Sequence, residues 1–180
     1  MAKRTETGIE FNYHRGMAET RWLTADEQLS WRSWLAAGVL VSERTEQEMK
    51  RAHDLTMAEY EVLVRLSESP GRRLRMTALA GRTLASKSRL SHQISRMEAA
   101  GLVARVDCPE DRRGAYAELT ELGWNRLVAA APSHIDCVRR TFLDALTAEE
   151  FALLGSLCAK VVTHSQERHD NERVSGMLPH

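Results

Sequence analysis

Ser86-Lys-Ser-Arg-Leu-Ser-His-Gln-Ile-Ser-Arg-Met-Glu-Ala-Ala-Gly101, running directly into Leu102-Val-Ala-Arg-Val106 and, after a charged break, Ala115-Tyr-Ala-Glu-Leu119, is the stretch on which the fold turns. Leu90, Ile94 and Met97 recur at i, i+4 and i+7, the spacing of one buried helix stripe. Ser86 can cap the first turn with its hydroxyl, and Gly101 is suited to the left-handed residue that ends a helix. Leu102–Val106 and Ala115–Leu119 read as strands. Between them Asp107-Cys-Pro-Glu-Asp-Arg-Arg-Gly114 is turn-rich and charged, so the pair forms a hairpin with a long tip. Just upstream, Met76–Leu84 carries Met76, Leu79, Ala80 and Leu84 at helical spacing.

Two short helices followed by strand, charged loop and strand is the element order of a winged helix-turn-helix, whose second helix enters the major groove of DNA. The outer face of Ser86–Gly101 fits that role. Ser88, Arg89, His92, Ser95 and Arg96 lie opposite the apolar stripe, with Lys87, Ser91 and Gln93 on the flanks, and no carboxylate precedes Glu98. Hydroxyl, amide, imidazole and guanidinium groups can read base edges or grip phosphates, whereas a carboxylate would be repelled. An ordinary exposed helix face mixes both signs to gain i,i+4 pairs. The surrounding charge agrees. From Gly71 to Met97 there are seven basic residues and no acidic one, and Arg65–Arg113 carries an excess of +6 in a chain whose 25 Lys+Arg and 25 Asp+Glu cancel. A charge run alone is usually a solvated face; within this fold it is the footprint of phosphate binding.

Working outward, residues 1–22 are polar and weakly periodic and read as an arm. Thr24-Ala-Asp-Glu27, Thr56-Met-Ala-Glu59 and Thr147-Ala-Glu-Glu150 each have the spacing of a capping box. The first opens a helix to about Arg51 that is apolar on more than one face, through Trp31, Trp34, Leu35, Val39, Leu40 and Val41. The second opens a helix carrying Tyr60, Leu63, Val64 and Leu66 and stopped by Ser69-Pro70-Gly71. A long helix starts near Thr120 with Pro132 inside it, which predicts a kink rather than an end. The third box opens a last helix with Phe151, Leu154, Leu157, Cys158, Val161 and Val162 on one side. The expected organisation is mainly α with a small β-hairpin wing: a winged helix-turn-helix core at 56–120, a helical dimerisation region at 23–55 and 121–168, and a polar tail at 169–180.

Length and composition set the outer bounds. With 180 residues, 43% hydrophobic and 28% charged, the chain can bury a core and is unlike a disordered one. No stretch approaches the roughly 18 to 20 apolar residues of a membrane span. The N-terminus lacks an apolar signal region and three cysteines are an odd number, so a cytoplasmic protein is expected. There is no glycine-rich phosphate loop, H-E-x-x-H, C-x-x-C or nucleophile elbow, which argues against an enzyme and against a cofactor. His14, His53, His134, His164 and His169 are scattered, so no metal site is expected.

These residues resemble the MarR family of bacterial transcriptional regulators over about Thr24 to Val162. The strongest part is Asp111-Arg-Arg-Gly-Ala-Tyr-Ala-Glu-Leu-Thr-Glu-Leu-Gly123, similar to the family's wing pattern D-x-R, strand and L-T-x-x-G. Leu90–Glu98 and Ala100-Gly-Leu-Val103 look like its recognition helix and exit. The resemblance implies that Arg113 enters the minor groove, where narrowing concentrates negative potential. It also implies that Asp111 orients the wing, although an Asp there equally caps its own turn, and Arg112 joins the DNA-contacting set. It implies a homodimer through the terminal helices, a pseudo-palindromic operator, repression, and a small aromatic or anionic effector in a crevice whose candidate lining is Trp31, Trp34, His53, Tyr60 and Trp124. Two alternatives stay open. One is a winged helix that binds a protein partner; the other is a redox-sensing regulator using Cys108 as an exposed thiol beside Arg112 and Arg113, with Cys137 and Cys158 buried on interface helices.

Overall fold

The first helix, α1 (Ala25–His53), starts at the expected box: Thr24 Oγ1 accepts the Glu27 N–H at 3.2 Å and Glu27 Oε2 accepts the Thr24 N–H at 2.8 Å. The computed structural model describes residues 20–83, 86–108 and 114–175, with side chains to residue 167. The chain divides into two compact units, residues 1–37 and 38–180, and α1 runs through the boundary. In the first unit Trp31 and Trp34 stack with ring centroids 5.1 Å apart, and each is about half exposed. The two-sided packing expected of α1 is therefore not made by those two side chains within one chain.

In the second unit the end of α1 buries Thr45 and Met49. It stops when Asp54 takes a left-handed backbone (φ 50°), with its N–H on the Lys50 carbonyl at 3.1 Å. Helix α2 (Met57–Ser67) has both capping-box bonds between Thr56 and Glu59 and buries Tyr60, Val62, Leu63 and Leu66. A three-residue strand, β1 (Arg73–Arg75), follows a turn in which Gly71 and Arg72 both have positive φ. It is absent from the sequence reading because three residues are too few to display alternation. Then come α3 (Met76–Arg82), α4 (Lys87–Ala99), β2 (Val103–Asp107), β3 (Ala115–Leu119), α5 (Glu121–Thr141) and α6 (Ala148–Ser175). The strands form an antiparallel sheet in the order β1-β3-β2, with Leu74 opposite Ala117 and Val103 opposite Leu119.

The exit from α4 explains the Gly101-Leu-Val and L-T-x-x-G signatures together. Gly101 is left-handed (φ 72°); its N–H bonds Glu98 O at 2.9 Å and the Leu102 N–H bonds Met97 O at 2.9 Å, a Schellman closure. Leu102 thus belongs to the helix end, and β2 begins one residue later than the expected 102–106. The Leu102 carbonyl in turn accepts from Thr120, through N at 3.3 Å and Oγ1 at 3.1 Å, while Thr120 Oγ1 caps the Gly123 N–H of α5 at 3.0 Å. A Cβ on Gly123 would lie 2.0 Å from the Leu102 oxygen, so only glycine lets α5 start this close to the end of α4. Pro132 lies inside α5, and the helix continues past it.

Met49, Leu55, Leu63, Leu66, Leu79, Leu90, Ile94, Met97 and Val103 are the largest of the fully buried apolar side chains and join α1, α2, α3, α4 and β2 in one core. The third capping box is present, with Glu150 Oε2 2.8 Å from the Thr147 nitrogen and Thr147 Oγ1 3.2 Å from that of Glu150. Helix α6 nevertheless buries none of its side chains through Glu167; Phe151, Leu153, Leu157, Val161 and Val162 are all exposed. Cys158, expected to be buried, is exposed with them, because among the described residues nothing covers the helix face that carries it. Among the described residues no helix is long and apolar enough to cross a membrane.

Candidate nucleic-acid interface

Helix α4 is built as the sequence requires. Ser86 caps it, its Oγ accepting the Arg89 N–H at 3.3 Å, and Leu90, Ile94 and Met97 seat one face in the core. Ser86, Lys87, Ser88, Arg89, Ser91, His92, Ser95 and Arg96 are all exposed. Arg89, His92, Ser95 and Arg96 line one shallow groove on that surface. Among the described residues no ion pair engages Lys87, Arg89 or Arg96, which leaves three cations available to an external anion.

Gln93 departs from the expectation. It was placed on the flank of the reading face but is buried, with Nε2 shielded and lacking a hydrogen-bond partner within the described chain. The reason is periodicity: 90, 93, 94 and 97 form one i, i+3, i+4, i+7 stripe, so Gln93 shares the inward side of the helix with the leucine and methionine. Asp111, Arg112 and Arg113, assigned to the wing, lie outside the described residues.

Sequence reasoning passed over Arg105 of β2. Its Nη2 donates to Ser91 O at 2.8 Å, Ser95 Oγ at 2.9 Å and Ser91 Oγ at 3.4 Å, and its backbone N–H donates to Glu98 Oε1 at 3.0 Å. Arg105 counted only as one more cation in the basic excess; no local pattern announces partners on another element. The arginines of β1 were likewise counted without being placed. The Arg73 and Arg75 guanidinium carbons lie 5.2 and 5.6 Å from the centroid of the Tyr116 ring, and Arg75 Nε donates to the Tyr116 hydroxyl at 3.3 Å.

The effector candidates do not share one setting. Trp31 and Trp34 pair with each other. His53 Nε2 lies 2.9 Å from Ser133 Oγ, the Tyr60 ring lies tilted at 46° against His134 with centroids 4.6 Å apart, and Trp124 lies under the Arg72 guanidinium at 4.1 Å, which also pairs with Glu121 at 3.0 Å. Burial raises the Tyr60 phenol above its ordinary pKa and lowers the His134 imidazole, so both favour their neutral forms. A separate crevice between the end of α1 and the start of α5 is lined by Lys50, Asp54, Leu55, Arg96, Leu122 and Arg126, among others. There the Lys50 ammonium bonds the Asp54 carboxylate, holding that acid below its usual range and the lysine above its own.

Cys108 is also corrected. It is buried, 3% exposed, because it continues β2 to close the hairpin, its N–H on Gly114 O at 3.2 Å. An exposed sensor thiol is not what this position offers. Cys137 is buried as expected, its Sγ 3.6 Å from the Arg44 carbonyl.

A family model described as MarR family matches residues 53–114. The chain is 32% identical over 123 residues to transcriptional regulator HosA of Escherichia coli O111:H-, covering 68% of this chain and 89% of the relative. Two solved structures from Streptomyces coelicolor are more similar in sequence. AbsC, a MarR family transcriptional regulator, is 46% identical with a TM-score of 0.79, covering 82% of this chain and 99% of its own. Sco3205, a MarR family regulator whose structure was determined in complex with DNA, is 44% identical with a TM-score of 0.78, covering 79% of this chain and 90% of its own.

Proposed function

The chain belongs to the MarR family of transcriptional regulators, and from that premise we propose that it binds double-stranded DNA as a homodimer and represses transcription by occluding a promoter. The observation that carries the proposal is the outer face of α4, exposed, free of carboxylates until Glu98 and fixed to the core by its opposite side. Sco3205, a relative with the same fold, has been seen on DNA, which supports giving α4 the major-groove role. Arg113 in the minor groove, with Asp111 and Arg112 beside it, completes the contact set by family resemblance.

The dimer is supported by apolar surface that a single chain leaves in solvent: Trp31, Trp34, Val39 and Leu40 on α1, and Phe151, Leu153, Leu157, Val161 and Val162 on α6. Faces of this kind on a regulator are association surfaces. Two-fold symmetry then sets the recognition helices about 34 Å apart, one turn of DNA, and calls for a pseudo-palindromic operator. The effector is a small anion bound by Arg96 and Arg126 in the crevice that they share with Glu59 and the Lys50–Asp54 pair. Arg96 is shared with the DNA-binding face, so occupancy there competes with operator contact. The protein acts in the cytoplasm and performs no catalytic step.

Fluorescence anisotropy with a labelled duplex from upstream of the protein's own gene, run beside a scrambled duplex and a salt series, tests the reading. The expected result is binding about a thousandfold tighter than to the scramble, with a steep loss on adding salt. Equal, weak binding to both duplexes, together with no enriched fragment in a genome-wide pull-down, would favour the winged helix as a protein-binding adaptor.

A further inference from the structure

We infer that Arg105 is a positioning residue that locks the wing hairpin onto the recognition helix, and that Ser91 and Ser95 serve as its anchors rather than as readers of bases. The inference rests on the DNA-binding reading of α4. Three positions of α4 on successive turns, 91, 95 and 98, converge on this one side chain and its backbone. The guanidinium Nη2 spans the Ser91 carbonyl and the Ser95 hydroxyl, Nε faces Glu98 Oε2 at 3.9 Å, and the Arg105 N–H reaches the same carboxylate through Oε1. A planar guanidinium fork can satisfy several acceptors at fixed angles, which a lysine ammonium cannot reproduce.

The contacts engage both serines from the wing side. Ser95 donates its hydroxyl proton to Ser91 O at 3.1 Å and accepts from Arg105, so its only donor is already engaged inside the protein. With the two anchors set aside, the reading strip of α4 contracts to Lys87, Ser88, Arg89, His92 and Arg96. Arg105 lies opposite Ala117 of β3, midway along the hairpin whose far end holds the wing tip. Its hold on α4 therefore fixes the angle between wing and recognition helix before DNA arrives. That preorganisation lets the groove and wing contacts form together.

The test uses the full chain with Arg105→Gln, the Ser91→Ala/Ser95→Ala pair, and Ser91→Thr/Ser95→Thr, which keeps both hydroxyls. Amide hydrogen exchange is measured without DNA, and operator affinity with its salt slope is measured with the duplex described above. Arg105→Gln should raise exchange over 103–107 and 91–98 by roughly tenfold while the core amides of α2 stay protected. Operator affinity should fall about tenfold or more with the salt slope unchanged, because no phosphate contact is removed. The alanine pair should reproduce much of both effects and the threonine pair neither.

Unchanged exchange in Arg105→Gln would overturn the lock. So would a salt slope reduced by about one unit with a silent alanine pair, since Arg105 would then be gripping a phosphate directly. If the unsubstituted chain shows no operator preference, the DNA-binding reading fails, and the positioning role for DNA fails with it. The exchange measurement would still decide whether the hairpin is locked.

Discussion

Helices α4 and α6 are both amphipathic by sequence, yet they end in opposite conditions. α4 buries Leu90, Ile94 and Met97, and from Lys87 to Arg96 it exposes only polar and cationic groups. α6 carries Phe151, Leu153, Leu157, Val161 and Val162 in solvent, with none of its side chains through Glu167 buried. The apolar periodicity is sharper on α4 than on α6, and what also differs is where the covering surface comes from. α4 finds its cover in α1, α2, α3 and the sheet of its own chain. On α6 the described residues supply no such cover, and the proposed homodimer would supply it from a second copy. An apolar stripe thus says that a helix face is covered and leaves open which molecule covers it.

The largest expected effect comes from breaking the α6 side. Replacing Leu157 and Val161 with Asp should leave far-UV circular dichroism and the protection of the winged core intact while abolishing the dimer. Each buried aliphatic contributes roughly 1.5–3 kcal/mol, and both occur twice across a two-fold axis, so operator affinity should drop at least a hundredfold. Sedimentation that still shows a dimer would break the comparison, because the exposed stripe would then not be the interface.

Gly123→Ala attacks the other side. The new methyl meets the Leu102 oxygen at 2.0 Å, so the start of α5 must move away from the end of α4. Overpacking of this kind costs about 1–3 kcal/mol, occasionally more, and should lower the denaturant midpoint without altering the slope. A midpoint equal to the unsubstituted chain's would mean that the two elements are not held at this distance.

Thr56→Ala and Thr147→Ala give the smallest and most discriminating pair. Each removes one side of a capping box, at about 1 kcal/mol. The first caps α2, inside the core of a single chain, so its effect should be independent of protein concentration. The second caps α6, so its effect should include a concentration-dependent part from weakened association. Identical concentration dependence for both would erase the distinction between the two regions.

Much of this architecture was legible because its determinants are local. The three capping boxes, the Ser86 cap, Gly101 as the left-handed terminator and the stripe of α4 each depend on residues within one or two turns of one another. The exposure of Ser86, Lys87, Ser88, Arg89, Ser91, His92, Ser95 and Arg96 was legible for the same reason, whereas Gln93 falls on the inward stripe with Leu90, Ile94 and Met97. Cys108 and Cys158 exchanged their expected environments. The hairpin closure that buries the first and the absence of cover over the second are both properties of neighbours distant in sequence.

The sequence by itself determined the helices, the two hairpin strands and their order, the acid-free face of α4 and the family resemblance, because helix periodicity, capping and charge exclusion act along the chain. Tertiary structure alone decided the pairing of β1 with β3, the contact of Gly123 with Leu102, and the reach of Arg105 to Ser91 and Ser95. The Arg105 bonds alone span 2.8 to 3.4 Å between groups on separate elements. Only the folded backbone brings such groups within hydrogen-bonding or van der Waals range.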